Sequence, residues 1–185
     1  MNLYHTVIGS CWLTLFVAWG LLAIAFSGGR KATNTQMGIV SGILVSVAII
    51  IGFLYGGRAP IHLSGGLTSE MAAAGAVLCT IGLAFATWAR VALGGNWGMP
   101  MTLQQDPELV TSGPYRYVRH PIYTGVIAMW IGTALVYPLA TPACAAVTIY
   151  AFFSALREER DMEQRFPESY PEYRKRSKML LPFLI

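Results

Sequence analysis

The chain has 185 residues, 55% of them hydrophobic and only 12% charged, an apolar share above that of an ordinary water-soluble domain. Thirteen Lys and Arg against nine Asp and Glu give a net charge of +4, which reads as a membrane-topology signal and a contact with anionic headgroups, and no nucleic-acid partner is expected.

A hydrocarbon core of about 30 Å is crossed by roughly 20 apolar residues in helix. Three charge-free segments meet that length: Thr6 to Phe26, Met37 to Tyr55 and Met71 to Ala89. The first is too long for a cleaved leader, with no basic residue before it, so it is read as a retained helix. Gly38 and Gly42 form a GxxxG pair within the second, a device for close helix approach. Cys11, Cys79 and Cys144 fall inside spans without metal-ligand spacing and read as packing residues; no metal is expected.

From Arg90 the character changes. A segment of about 30 residues carries Gly94, Gly95, Asn96, Trp97, Pro100, Asp106, Pro107 and Glu108, a pattern of turns that predicts a loop packed on the membrane face. It leads into Ser112-Gly113-Pro114-Tyr115-Arg116-Tyr117-Val118-Arg119-His120-Pro121-Ile122-Tyr123. The following 36 residues, Pro121 to Leu156, hold no Asp, Glu, Lys, Arg or His. They exceed one span and carry Tyr137-Pro138 and Pro142 at their middle, which predicts two helices joined by a tight turn. Residues Ala151 to Phe166 are expected to continue as one helix into water, ended by Pro167. The out-and-back path brings the His120 block and Arg157-Glu158-Glu159-Arg160-Asp161 to one face. A basic, aromatic tail follows, and Leu180 to Ile185 is suited either to fold back on the bundle or to dip into the interface.

The fold class expected is therefore all-α, a polytopic bundle of about five spans. Residues 1–89 are a three-span scaffold, and residues 90–185 a functional half with a helical hairpin and cytoplasmic carboxyl-terminal helices. With five spans, twelve Lys and Arg lie on one side and only Arg58 on the other, which places the amino terminus outside and the polar clusters in the cytoplasm. A bacterial cytoplasmic membrane suits this topology, as does the endoplasmic reticulum of a eukaryote.

Read for chemistry alone, the clusters supply an imidazole, several phenols, two adjacent carboxylates and a guanidinium. No nucleophilic serine motif or phosphate loop accompanies them. The set suits a cationic or zwitterionic cofactor held against carboxylates and aromatic faces, with a lipid entering between helices. Arg116 and Arg119 read as headgroup anchors first and site residues second. Glu158 reads as functional, whereas Glu159 is balanced between function and a solvated helix surface.

Leu109-Val110-Thr111-Ser112-Gly113-Pro114-Tyr115, Arg119-His120-Pro121-Ile122-Tyr123-Thr124-Gly125, the Glu158-Glu159 pair, and Phe166 with Tyr170 and Tyr173 together resemble the carboxyl-terminal half of the isoprenylcysteine carboxyl methyltransferase family; Leu93-Gly94-Gly95-Asn96-Trp97 is similar to an upstream element. The resemblance covers about residues 90–185. It implies S-adenosylmethionine as methyl donor, in a cytoplasmic pocket capped by the carboxyl-terminal helices, and a lipophilic acceptor, foremost the carboxylate of a prenylated cysteine or similar isoprenoid acid. Carried over by position, Leu109, Val110 and Tyr115 line the cofactor. His120, Pro121, Ile122 and Tyr123 hold its amino-acid or ribose end, and Glu158 meets a polar cofactor group; catalysis is assigned to Glu158 together with Arg157, which does not stand at the family's arginine position. One departure concerns the acceptor. The family places an arginine four residues before the glutamate matched by Glu158, where this chain has Ser154. Either Arg157 substitutes for it, or the acceptor lacks a carboxylate. A sterol-type NADPH-dependent membrane reductase, a phospholipid amine methyltransferase and a non-catalytic lipid-binding bundle are the alternatives.

Overall fold

The computed structural model describes residues 3–25, 68–96 and 108–181. Five α-helices occur among them: α1 Leu3–Ala25, α2 Ser69–Leu93, α3 Pro121–Val136, α4 Thr141–Arg165 and α5 Ser169–Arg176. Short 3-10 turns stand at Gly94–Asn96, Gly113–Arg116 and Pro138–Ala140. The all-α expectation holds for the described residues, and α1, α2 and α4 are long and apolar enough to cross a bilayer. The 16-residue α3 is apolar but shorter. This is an integral membrane protein. The expected span Met37 to Tyr55, with its Gly38 and Gly42, lies outside the described residues.

Glycine spacing sets the core of the bundle. Gly75 and Gly82 on α2 face Gly132 and Gly125 on α3. A Cβ at Gly82 would stand 2.6 Å from the Gly125 carbonyl oxygen, and one at Gly75 would stand 2.7 Å from that of Gly132. Seven-residue spacing on both helices keeps these pairs in register, so the two backbones touch without side chains between them. Next, α1 lays Ile8, Cys11, Trp12 and Leu15, one i, i+3, i+4, i+7 stripe, against this pair. The Trp12 indole donates to Thr133 Oγ1 at 3.0 Å, and Thr133 in turn donates to the Met129 carbonyl. That chain satisfies two polar groups which would otherwise be costly in hydrocarbon. Leu13, Val17 and Leu21 are exposed on the other side of α1, as are Ile149, Tyr150 and Phe153 on α4, where lipid is the natural solvent.

Both α1 and α2 begin at the same end of the bundle, since the Tyr4 hydroxyl meets Ser69 Oγ at 3.2 Å. The turn between α3 and α4 lies at that end too: the His5 and Tyr137 rings are 4.8 Å apart. Five spans require this relation. The hairpin turn forms where proline predicted it, with Pro138 opening a 3-10 turn and Pro142 in the first turn of α4, where a missing N–H costs nothing. Helix α2 runs on to Leu93, three residues past the predicted change at Arg90. There the Gly94 N–H caps the carbonyls of Arg90 and Val91 with φ at 54°. Helix α4 extends from the hairpin turn to Arg165, and Phe166 caps it just before Pro167.

Candidate active site

At the end opposite the hairpin turn, three chain segments converge. The first is the Gly113–Arg116 turn, whose Gly113 sits at φ 59°, a conformation costly for any residue with a Cβ. It buries Pro114 and Tyr115. The second is the start of α3. Pro121 at the first helical position supplies the φ a helix needs. His120, at the N-cap, makes no side-chain capping bond, so its imidazole is available to other partners. The third is the far end of α4, where Glu158 and Glu159 stand one residue apart and so diverge by about 100° around the helix.

The imidazole of His120 lies between the two acids. Its Nδ1 is 3.4 Å from Glu158 Oε2, and its Nε2 is 3.7 Å from Glu159 Oε1. The second distance is too long for a hydrogen bond, and Nε2 is buried with no hydrogen-bond partner among the described residues. Tyr123, one turn into α3, donates its hydroxyl to Glu158 Oε1 at 2.5 Å, and its ring stacks near that of His120 with centroids 5.8 Å apart. Burial works against a charged imidazole, but the carboxylates of Glu158 and Glu159 on either side outweigh it, and the His120 pKa lies above its ordinary value.

The carboxyl-terminal segment covers this cluster. Tyr173 of α5 donates to the Tyr115 carbonyl at 2.7 Å, and burial first among its causes pushes the Tyr173 phenol up to about 12, so it remains a donor. Burial likewise raises the pKa of Tyr115, which lies close enough to Glu158 to feel its charge. Beyond α5 the chain runs beside the His120 turn. The Arg119 N–H donates to the Lys178 carbonyl at 2.8 Å, the His120 N–H to that of Met179 at 3.1 Å, and the Lys178 N–H to that of Tyr117 at 3.0 Å. Met179 and Leu180 pack on Ala155, with Tyr123 and Leu156 alongside. The expected fold-back is thus present to residue 181, and residues 182–185 lie outside the described residues.

Of the residues singled out in the sequence, the structure joins His120, Tyr123 and Glu158 directly. Pro121 is buried beneath them, and Ile122 is half-buried beside them. Tyr115 is tied in through Tyr173. Leu109 and Val110 are half-buried in the segment that leads into the turn. Arg157 is exposed on α4, and among the described residues no hydrogen bond or ion pair joins it to the cluster. Ser154 stands one turn before Glu158, within reach of the Tyr123 phenol. Trp97 lies outside the described residues. Two residues carry more than the sequence suggested. Arg119 is no headgroup anchor: its side chain is 8% exposed and holds Glu159, 6% exposed, with Nε and Nη2 each 2.7 Å from Oε1. In the sequence both stood inside the motifs that carry the family resemblance, Arg119 read first as a headgroup anchor and Glu159 as balanced between function and a solvated surface.

A family model for phospholipid methyltransferases matches residues 71–169. The chain belongs to the phospholipid methyltransferase family. The match spans α2, α3 and α4 and includes every residue of the acid and imidazole cluster. Among family relatives, human protein-S-isoprenylcysteine O-methyltransferase is 41% identical over 81 residues, 41% of this chain and 28% of the relative. Methanethiol S-methyltransferase 1 of Bradyrhizobium diazoefficiens is 37% identical over 82 residues, 42% of this chain and 27% of the relative. The chain therefore spans little more than a quarter of either protein. A probable protein-S-isoprenylcysteine O-methyltransferase of Oryza sativa subsp. indica is 28% identical over 177 residues, 89% of this chain and 88% of that one. A solved structure of the eukaryotic intramembrane Ras methyltransferase, an isoprenylcysteine carboxyl methyltransferase, shares the fold with a TM-score of 0.59 and 23% identity, covering 98% of this chain and 65% of the other. The resemblance read from the Leu109–Tyr115 and Arg119–Gly125 motifs is borne out.

The residues present fit the methyl donor this family implies. Glu158 keeps one oxygen on Tyr123 and has its side chain 31% exposed. The buried, unbonded Nε2 of His120 adds a polar atom with capacity to spare. Phenol rings flank both.

Proposed function

We propose that this protein moves a methyl group from S-adenosylmethionine to a lipophilic acceptor at the cytoplasmic face of its membrane. The observation that carries the reading is the convergence of His120, Tyr123 and Glu158 from the two legs of the hairpin, inside a family of methyltransferases. When bound, S-adenosylmethionine supplies an activated sulfonium methyl, which asks of a protein mainly alignment and a dry surrounding. The carboxylate of Glu158 suits the cofactor's α-ammonium by a charge-assisted hydrogen bond. The faces of Tyr115 and Tyr123 suit the sulfonium by cation–π attraction, with Leu109, Val110, Pro121 and Ile122 as apolar lining. The 177–180 segment and α5 exclude water above them. A twelve-to-one bias of basic residues supports a cytoplasmic site, in a bacterial cytoplasmic membrane or, in a eukaryote, the endoplasmic reticulum.

For the acceptor, the leading reading is the carboxylate of a prenylated cysteine or related isoprenoid acid, approached laterally from lipid, with exposed Arg157 as the cation at the mouth. A carboxylate attacks without a general base. The second reading is an acceptor without a carboxylate. It is favoured by Ser154 beside Tyr123, a neutral residue on the face that Glu158 presents, and by the methanethiol-methylating relatives. Incubating the purified protein with radiolabelled S-adenosylmethionine and either a farnesylcysteine analogue or an alkyl thiol decides between them. Base-labile label is expected with the acid. Base-stable label only with the thiol selects the second reading, and no transfer to either rejects both.

A further inference from the structure

We propose that Arg119 is a positioning residue: its ion pair with Glu159 clasps the 177–180 segment to the His120 turn and fixes which acid the imidazole serves. The proposal deepens the methyltransferase reading and rests on it for the ligand, while the clasp itself stands on geometry. All three nitrogens of the guanidinium are engaged. Its Nε and Nη2 hold Glu159 Oε1, and its Nη1 donates to the Ser177 carbonyl at 2.6 Å and to that of Arg174 at 3.4 Å. Those two carbonyls stand at the end of α5, where helical acceptors lack intrahelical donors. One side chain therefore ties together the turn before α3, the end of α4 and the end of α5.

Glu159 is as enclosed as its partner, so it has no room to meet a ligand, whereas Glu158 is a third exposed and does. The two neighbouring acids divide the work. Arg119 occupies Glu159, and His120, at 3.4 Å from Glu158 and 3.7 Å from Glu159, faces the ligand-side acid. Without Arg119, Glu159 would keep, among the described residues, only His120 and Arg174, each at 3.7 Å. A buried carboxylate left short of partners draws in the nearest cation, which pulls the imidazole off Glu158 and frees the segment bonded to the Arg119 and His120 amides.

The test uses the full chain in detergent, with Arg119→Gln, Arg119→Lys and Glu159→Gln compared with wild type by amide hydrogen exchange and by calorimetric titration of S-adenosylhomocysteine. For Arg119→Gln and Glu159→Gln we expect at least tenfold faster exchange at the Arg119, His120 and Lys178 amides, unchanged exchange in α2 and α3, and at least tenfold weaker binding. Arg119→Lys should fall between, because a single ammonium cannot reach Glu159 and both carbonyls in the guanidinium's fork geometry. Weaker binding with wild-type exchange would make Arg119 a direct ligand contact and overturn the proposal, as would faster exchange with wild-type affinity. Should Arg119→Gln not fold, Glu159→Gln, which keeps the side-chain volume, carries the same outcomes. If wild type itself fails to bind S-adenosylhomocysteine, the methyltransferase reading falls, and the exchange data still decide the clasp.

Discussion

Two adjacent carboxylates with opposite surroundings organise the site at the scale of single residues. Glu158 is partly open and shared by a phenol and an imidazole; Glu159 is enclosed by a guanidinium. Replacing Glu158 by alanine should lower affinity for S-adenosylhomocysteine at least a hundredfold, the loss of a charged hydrogen bond worth about 3 kcal/mol; unchanged affinity would remove Glu158 from the cofactor site. His120 gives a pH signature. Its folded pKa is above the unfolded value of about 6.5, so its stabilising contribution is complete below that pH and is lost as pH rises through the folded value. Melting temperatures of wild type minus His120→Gln should therefore decline with pH above about 6.5, and a difference that grows with pH would contradict the assignment. His120 and Glu158 were legible in the sequence because a histidine before proline and acids after a charge-free run stand out. Arg119 and Glu159 were not: a charged residue beside water reads as solvated, and only the fold-back of residues 177–180 encloses them.

At the scale of elements, hydrocarbon rewards charge-free length, so α1, α2 and the α3–α4 hairpin could be read directly from runs of apolar residues and from Pro138 and Pro142. The contact that joins α2 to α3 was harder to see, because Gly75, Gly82, Gly125 and Gly132 are spaced by seven and pair only once the helices are laid antiparallel. They predict a sharp contrast. Gly82→Val must place its Cβ where the Gly125 carbonyl stands and should destabilise by about 3 kcal/mol or prevent folding. Gly20→Ala on α1, with nothing among the described residues within 4 Å of the added Cβ, should change stability by less than about 1 kcal/mol. Melting of both variants in detergent checks the pair, and equal tolerance at the two positions would contradict backbone-to-backbone packing.

On the scale of the whole molecule, the bundle separates a scaffold end from a chemical end. Tyr4, His5, Ser69 and Tyr137 mark the first; the acids, His120 and the returning 177–180 segment mark the second. The proposed cytoplasmic placement of the chemical end rests on the bias of basic residues. Arg160→Cys should resist a membrane-impermeant maleimide on intact cells and react after permeabilisation, and Leu139→Cys, 58% exposed at the hairpin turn, should react from outside; the reverse pattern would invert the topology. The helical architecture of the described residues was readable because it follows from hydropathy, whereas the acceptor was not, since Ser154 and exposed Arg157 allow two chemistries. What everything turns on is a nucleotide sulfonium site between the hairpin legs. Calorimetric titration of the purified wild-type protein with S-adenosylhomocysteine and, separately, NADPH measures it most directly. Saturable binding of S-adenosylhomocysteine alone, abolished by Glu158→Ala, is the predicted result; binding of NADPH alone would contradict the account.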